Sequence, residues 1–189
     1  MSAKIIIGIT GTFGAGKGEI VNYLVNKKDF VHFSVTKELI KEIKKRKLPV
    51  NRENMRIVAN DIRAKKGSGF IVEKLYNKVK LLNQNSIIES VRTIGEVKTL
   101  QKKKKFYLLS VDANPKTRFA RIKKRESEKD NVNYQEFLDS EKKEMNNSSP
   151  TKQNLKKCIE MADYKFENNG TFENLYKQVD KALDNILTK

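Results

Sequence analysis

The chain has 189 residues, of which 38% are hydrophobic, and its 40 lysines and arginines against 23 aspartates and glutamates give a net charge of +17. This length predicts a single domain over residues 1–189, and no apolar run approaches the roughly 20 residues of a membrane span. One cysteine, Cys158, and one histidine, His32, exclude an internal disulfide and a metal site made of several cysteines or histidines. We expect a cytoplasmic protein whose positive charge attracts nucleotides, coenzymes or nucleic acid.

Residues 4–25 contain the most informative motif. Residues 4–10 are apolar and β-branched like a buried parallel strand, and residues 19–25 carry apolar side chains at helical spacing. Between them lies a glycine-rich loop of Gly11, Thr12, Phe13, Gly14, Ala15, Gly16, Lys17 and Gly18. Strand, loop, lysine and helix in this order predict a phosphate-binding loop, where backbone N–H groups, a helix N-terminus and Lys17 surround an anion. Because Gly18 replaces the usual Ser or Thr, the hydroxyl that ordinarily ligates Mg²⁺ is missing.

Two other interpretations of this loop stay open. A glycine-rich turn that binds nothing explains the glycines but not Lys17. A dinucleotide-binding turn also contains closely spaced glycines, but it needs an acid near the end of the next strand to hold a ribose. Residues 30–35 form that next strand, and they end in Ser34 and Val35.

The apolar segments continue to alternate between strand and helix patterns. Further strands are predicted over residues 30–35, 86–89, 106–111 and 163–167, and further helices begin at Thr36, Arg52, Phe70, Gly95, Asn114, Gln153 and Thr171. Residues 126–150 are polar and rich in charge, and we predict a lid-like segment there that is partly helical over residues 134–145. The alternation predicts a parallel sheet covered by helices on both faces, with ligands at the carboxyl ends of its strands.

Three chemically useful side chains follow predicted strand ends. Ser34 closes the second strand, and Glu89 closes the third, with Arg92 three residues later. Phosphoryl transfer needs positive charge around both phosphates and Mg²⁺ between donor oxygens. Glu89 is therefore a candidate to hold Mg²⁺ through water or to accept a proton from the acceptor, unless it is only an exposed acid. Arg92 is a candidate to grip an acceptor phosphate, unless it forms only a surface salt bridge.

Two groups of basic residues lie at helical spacing. Arg56, Asn60 and Arg63 share a predicted helix face opposite Met55, Val58 and Ile62. This face would suit an anionic substrate, and a solvated face is the alternative. A later helix carries Arg118, Arg121 and Arg125, three and four residues apart. These arginines could cover the transferring phosphate as a lid closes, or form a basic solvent-exposed face.

These motifs resemble a known enzyme family. Gly11–Gly18 followed by Glu19 resembles the loop of adenylate kinases, where glycine also follows the lysine; that family usually has threonine at the next position. The segment from Glu89 to Arg92 resembles the acid and phosphate-binding arginine of nucleoside monophosphate kinases, and Arg121–Arg125 resembles the start of their lid. Residues 162–171 resemble the last strand and turn shared with dephospho-coenzyme A kinases. In those enzymes this turn lies near the donor adenine, which implies a nucleotide contact for Asn169.

The resemblance implies an α/β, three-layer P-loop NTPase fold. It implies a five-stranded parallel sheet of order 2-3-1-4-5, with helices on both faces, acceptor-binding helices over about residues 36–83 and a small lid over about residues 126–150. Residues 59–63, together with residues 89–92 and 95–97, also resemble a poorly characterised group of kinase-like proteins. Related domains occur beside deoxycytidylate deaminases, which favours a nucleotide acceptor.

The implied function is transfer of a phosphoryl group from ATP, with Mg²⁺, to a nucleoside or deoxynucleoside monophosphate. Lys17 and the loop from Gly11 to Glu19 would hold the donor, with Asn169 nearby. The expected acceptor contacts are Ser34, Arg56, Asn60, Arg63, Glu89 and Arg92, and the expected catalytic cations are Lys17, Arg92, Arg121 and Arg125. Two alternatives stay open: a dephospho-coenzyme A kinase, and a nucleotide- or nucleic-acid-binding module with weak ATPase activity. No basic motif with interleaved aromatics is present, which argues against nucleic acid.

Overall fold

The computed structural model describes residues 4–125 and 132–188, so residues 126–131 of the predicted lid segment lie outside the described part. Its strands are β1 (Ile6–Gly11), β2 (Val31–Ser34), β3 (Ser86–Glu89), β4 (Phe106–Asp112) and β5 (Tyr164–Glu167). The helices are α1 (Lys17–Lys28), α2 (Val35–Lys45), α3 (Arg52–Lys66), α4 (Phe70–Val79), α5 (Ile94–Gln101), α6 (Pro115–Lys124), α7 (Tyr134–Met145), α8 (Leu155–Glu160) and α9 (Phe172–Leu187).

The strands form one parallel sheet of order β2-β3-β1-β4-β5, which confirms the predicted order. β1 lies at its centre and is buried along its whole length. Its side chains alternate between the faces, and both faces are apolar because both are covered by helices. The register pairs Ser34 with Glu89 and Ile9 with Glu89. The carboxyl ends of β2 and β3 therefore meet beside the loop that follows β1.

A separate apolar core lies on each face of the sheet. Ile7 and Ile9 pack against α1 and α9 on one face, whereas Ile6 packs against α2 to α5 and α8 on the other. Sheet and helices form three layers, which is the P-loop NTPase fold that the family resemblance implied. In the described residues, no helix is both long and apolar enough to span a membrane.

Helix boundaries differ from the sequence predictions at a few caps. α2 begins at Val35, one residue earlier than predicted, because Ser34 caps it and accepts a hydrogen bond from the Lys37 N–H at 3.3 Å. α5 begins at Ile94, where Thr93 and Glu96 form a capping box. The predicted helix over residues 153–161 is shorter, since Asn154 caps it and it spans Leu155–Glu160.

Candidate functional site

The loop between β1 and α1 has the backbone of an anion-binding loop. Gly14 and Gly16 have φ angles of 80° and 108°, a region that side chains other than glycine rarely adopt. A side chain on Gly16 would also collide with the Asn168 amide. In the first turn of α1, the Glu19 N–H donates to the Gly16 carbonyl at 3.0 Å, whereas the N–H groups of Lys17 and Gly18 find no backbone carbonyl among the described residues and can face an anion. At Gly18, by contrast, a side chain would meet open space, so packing does not explain its missing hydroxyl.

Lys17 lies folded over its own loop. Its Nζ donates hydrogen bonds to the carbonyl oxygens of Gly11 at 2.9 Å and Thr12 at 2.7 Å. Burial and, to a smaller extent, the charge of Arg92 lower its pKa to about 7, although Glu89 and Glu144 oppose the shift. An arriving phosphate would offer the charged ammonium a stronger partner than these carbonyls.

Glu89 reaches the loop from the end of β3. Its carboxylate accepts hydrogen bonds from the Ser34 hydroxyl at 2.9 Å and from the Ser90 hydroxyl, and His32 Nε2 lies 3.8 Å away. Burial alone would raise the pKa of Glu89, but His32, Ser90, Lys17 and Ser34 outweigh it and lower the pKa to about 2. Glu89 is therefore ionised at neutral pH. Ser90 has a φ of 72°, an unusual backbone that directs its hydroxyl to Glu89.

One cavity of about 640 Å³ extends from the loop across the carboxyl ends of the strands. Most of the predicted site residues line it: Phe13, Gly14, Gly16, Lys17, Gly18, Glu19, Arg56, Arg63, Glu89, Arg92, Arg121 and Arg125. Eight lysines and arginines and three glutamates stand among its described lining residues. The cavity is therefore strongly positive, as an anionic ligand requires.

The remaining predicted site residues lie beside or behind this cavity. Gly11, Thr12 and Ala15 form the back of the loop, where the Ala15 carbonyl accepts a hydrogen bond from the buried Asn168 at 2.9 Å. Ser34 supports Glu89 rather than lining the cavity. Asn60 lines a neighbouring pocket of about 130 Å³ that shares Arg56 and Gln153 with the main cavity.

Asn169 is exposed and accepts a hydrogen bond from the Asn114 backbone N–H at 2.7 Å. Its neighbour Asn168 is the residue of this turn that contacts the loop. Arg121 donates to the Asn168 carbonyl at 2.9 Å, so this residue ties α6 and the β5–α9 turn to the loop. Within the turn that the resemblance indicated, Asn168 contacts the loop, and the nucleotide contact expected of Asn169 stays a prediction.

Arg63 does not share the exposure that its predicted helix face implied. It is 1% exposed, and its Nε and Nη2 donate to Glu96 Oε1 at 3.0 and 2.9 Å. The other carboxylate oxygen of Glu96 accepts from the backbone N–H of Arg92 at 2.8 Å. Arg63 and Glu96 therefore anchor the segment that presents Arg92 to the cavity. Arg63 is buried together with Val58 and Ala59, although the sequence pattern predicted that Arg63 and Val58 lie on opposite faces of the helix.

Arg92 is paired with two residues that no sequence motif singles out. Its Nη1 donates to Glu144 Oε2 at 2.7 Å and to Gln153 Oε1 at 3.2 Å. Glu144 Oε1 accepts a second hydrogen bond from Arg52 Nη2 at 2.9 Å. The Arg52 guanidinium in turn lies 3.6 Å from the ring centroid of Phe13. Sequence separations of 52 to 92 positions hide these pairs from motif analysis.

Of the three arginines in α6 and at its C-cap, two reach the cavity. Arg121 and Arg125 line it, and the Arg125 guanidinium lies 5.6 Å from the Phe13 ring centroid. Arg118 is 2% exposed and pairs with both carboxylate oxygens of Glu141 at 2.9 and 2.8 Å. Arg118 therefore docks α7 onto α6, and it does not cover the cavity.

A family model described as "AAA domain" matches residues 7–147. The UPF0200 protein of Methanocaldococcus jannaschii is 30% identical over 97% of this chain and 91% of its own length. The chain belongs to the UPF0200 family of AAA-domain P-loop proteins. A second UPF0200 relative, from Pyrococcus horikoshii, is 27% identical over 97% of this chain and 98% of its own.

Solved structures share the fold of this UPF0200 chain. TT1252 from Thermus thermophilus has a TM-score of 0.63 at 18% identity and matches 97% of this chain and 98% of its own. A shikimate kinase from Bacteroides thetaiotaomicron has a TM-score of 0.57 at 12% identity, and the match covers 96% of this chain and 99% of the shikimate kinase chain. The fold is therefore that of P-loop kinase-like proteins.

Proposed function

We propose that this protein transfers a phosphoryl group from ATP to the phosphate of a nucleoside or deoxynucleoside monophosphate. The observation that carries the proposal is that one cavity joins the phosphate loop to a second, arginine-lined end. Apolar side chains of α2 and α3 line that end: Val35, Leu39, Met55 and Ala59. An apolar wall beside cations suits a nucleotide, which has a flat base and an anionic phosphate.

The donor end would hold the triphosphate of ATP. Lys17 and the first N–H groups of α1 supply positive charge and hydrogen-bond donors to its phosphates. Arg121 and Arg125 line the same cavity and would stabilise charge on the transferring group. Phe172 also lines the cavity with 41% of its surface exposed, so its ring is available to the donor base.

Magnesium fits the residues present at one point. Glu89 is ionised and lines the cavity near Lys17, so it would hold Mg²⁺ through bound water, as Gly18 offers no hydroxyl ligand. A bound Mg²⁺ neutralises charge on the donor phosphates. A monophosphate acceptor already carries its nucleophilic oxygen as an anion and needs no general base. Glu89 would then act on the metal, while Arg92 and Arg56 bind the acceptor.

One observation favours a second candidate, a dephospho-coenzyme A kinase. There the acceptor is a ribose hydroxyl, which must transfer its proton to a carboxylate that acts as a general base. Glu89 is an ionised carboxylate within the cavity, and Glu144 occupies two of the arginines that a monophosphate would need. A hydroxyl acceptor would use the Glu89 carboxylate as its base and leave the contacts of Glu144 with the two arginines undisturbed.

A coupled assay of ADP release separates these candidates. We expect one or more nucleoside monophosphates to stimulate ADP release from ATP, and Lys17→Ala to abolish it. Stimulation by dephospho-coenzyme A alone would support the second candidate. If no acceptor raises ADP release above the Lys17→Ala background, and oligonucleotides bind with steep salt dependence, a nucleic-acid-binding module replaces both.

A further inference from the structure

Glu144 has an environment that its own helix does not explain. It lies in the last turn of α7, where the helix dipole disfavours negative charge and where lysines 142 and 143 are the expected type of residue. Yet Glu144 is only 7% exposed, whereas both lysines are exposed. Burial alone would raise the pKa of Glu144, but Arg92, Arg52 and Lys17 lower it below its usual range. A buried, ionised carboxylate at this position therefore depends on the cations of the cavity.

The geometry around Glu144 matches that of a bound anion. Each of its two oxygens accepts a hydrogen bond from a different arginine, at 2.9 Å from Arg52 and 2.7 Å from Arg92. A phosphate monoester offers the same arrangement, with one more oxygen and up to one more negative charge. The contact lies inside the cavity, because Glu144, Arg52 and Arg92 all line it.

The two arginines each have a second contact that does not involve Glu144. Arg52 lies over the ring of Phe13, and Arg92 donates to Gln153 at 3.2 Å. The capping box of Thr93 and Glu96 also fixes the backbone of Arg92. If Glu144 left, both guanidinium groups would keep a partner and stay near their present positions. Arg52 and Arg92 are thus positioned to bind another anion in place of the Glu144 carboxylate.

α7 is likewise attached through contacts other than Glu144. Phe137 packs against Phe119 and Phe13 with ring centroids 5.7 and 6.0 Å apart, and Glu141 pairs with Arg118. These contacts lie one and two turns before Glu144. The last turn of α7 can therefore release Glu144 while the rest of the helix stays docked.

We propose that Glu144 is an internal ligand of the acceptor site, which occupies the position of the acceptor's phosphate on Arg52 and Arg92 and is exchanged for it on binding. This inference rests on the proposed function, because it names the arginine pair as the acceptor-phosphate site. Glu144 then sets the specificity of that pair. A tethered carboxylate is present at high effective concentration, so a weakly charged ligand cannot displace it, whereas a phosphate dianion can.

The test is a titration with inorganic phosphate, with the phosphate loop saturated by ADP and Mg²⁺. Glu144→Gln keeps the shape of the side chain but removes its charge, and we expect it to bind phosphate about tenfold more tightly than the wild type. Glu160→Gln is the matched control, because Glu160 is exposed and pairs only with Lys157 among the described residues, and it should leave phosphate affinity unchanged. Thermal unfolding of each variant verifies that it is folded. If Glu144→Gln does not fold, Glu144→Asp replaces it, because the aspartate side chain is too short to bridge both arginines.

Hydrogen exchange supplies a second readout. In the wild type, phosphate should increase exchange in the last turn of α7, whereas in Glu144→Gln phosphate should leave that turn unchanged. Equal or weaker phosphate binding by Glu144→Gln would overturn the proposal and make Glu144 a support that holds the arginines in position. Because the titration needs no turnover, tighter binding without any kinase activity would refute the proposed function, while the exchange of Glu144 for phosphate on Arg52 and Arg92 would still stand.

Discussion

The proposed donor end and the proposed acceptor end of the cavity are built in different ways. The donor end comes from eight consecutive residues, Gly11–Gly18, whose backbone conformation and lysine create the site. The acceptor end comes from contacts between separate elements, at sequence separations from 33 to 92 positions. A site made by one local motif can lose ligand binding through a substitution without a loss of the protein's stability. An assembled site couples ligand binding to the stability of the elements that carry it.

The first prediction tests whether the donor end acts locally. Lys17→Ala should lower the affinity for ATP by at least about a hundredfold, since it removes the cation that faces the phosphates. The change in thermal midpoint should be small, because the hydrogen bonds that Lys17 donates within the described residues all go to carbonyls of its own loop. Calorimetric titration with ATP measures the affinity. The control is Lys27→Ala, because Lys27 is an exposed lysine of the same helix. If Lys17→Ala bound ATP with an affinity within about threefold of the wild type, the assignment of the loop to ATP would be contradicted.

The second prediction concerns the support of the acceptor end. Glu96→Gln should lower the free energy of unfolding by about 2 kcal/mol, because it leaves the buried Arg63 without its counter-charge. Urea denaturation measures the loss. Glu73→Gln is the control, since Glu73 is 40% exposed beside Lys103 and should change stability by less than about 0.5 kcal/mol. Equal effects of the two variants would show that the buried pair does not support this end.

The third prediction separates the two ends kinetically. Arg92→Ala should raise the KM for the acceptor by about tenfold and leave the KM for ATP unchanged, because Arg92 lies at the acceptor end. Arg46→Ala is the control, as Arg46 pairs with Glu42 and Asp61 outside the cavity. Steady-state kinetics with each substrate varied in turn provides both constants. A rise in the KM for ATP alone would reverse the assignment of the ends.

The fourth prediction uses the pKa of Lys17, which burial lowers to about 7 in the free protein. Bound phosphate favours the charged ammonium and raises this pKa, so binding above about pH 7 requires uptake of a proton. ATP affinity should therefore fall as pH rises, by about fivefold from about pH 7 to about pH 8. Calorimetry in buffers of different ionisation enthalpy reports the proton uptake. Binding that strengthens over this range, or releases protons, would contradict the role of Lys17.

The difference between the ends also explains what the sequence could predict. The loop, the alternation of strands and helices and the strand-end position of Glu89 follow from local patterns of apolar residues, glycines and one lysine, and the structure contains them. The order of the strands is implied by the family resemblance, and the structure confirms it. The burial of Arg63 could not be predicted, because a helix with arginines at positions 52, 56 and 63 does not reveal that Glu96 faces only the last of them. Glu144 was equally hidden within a charge-rich segment, since only the packing of α7 brings it to Arg52 and Arg92.

The central claim is that the cavity transfers a phosphoryl group between two small molecules. Phosphorus NMR of the protein with ATP, Mg²⁺ and the monophosphate that most stimulates ADP release tests it directly. The account predicts that ADP and a new nucleoside diphosphate appear in equal amounts, and that Lys17→Ala produces neither. Release of inorganic phosphate in place of the new diphosphate, or no change in the ATP signals with any monophosphate, would contradict it.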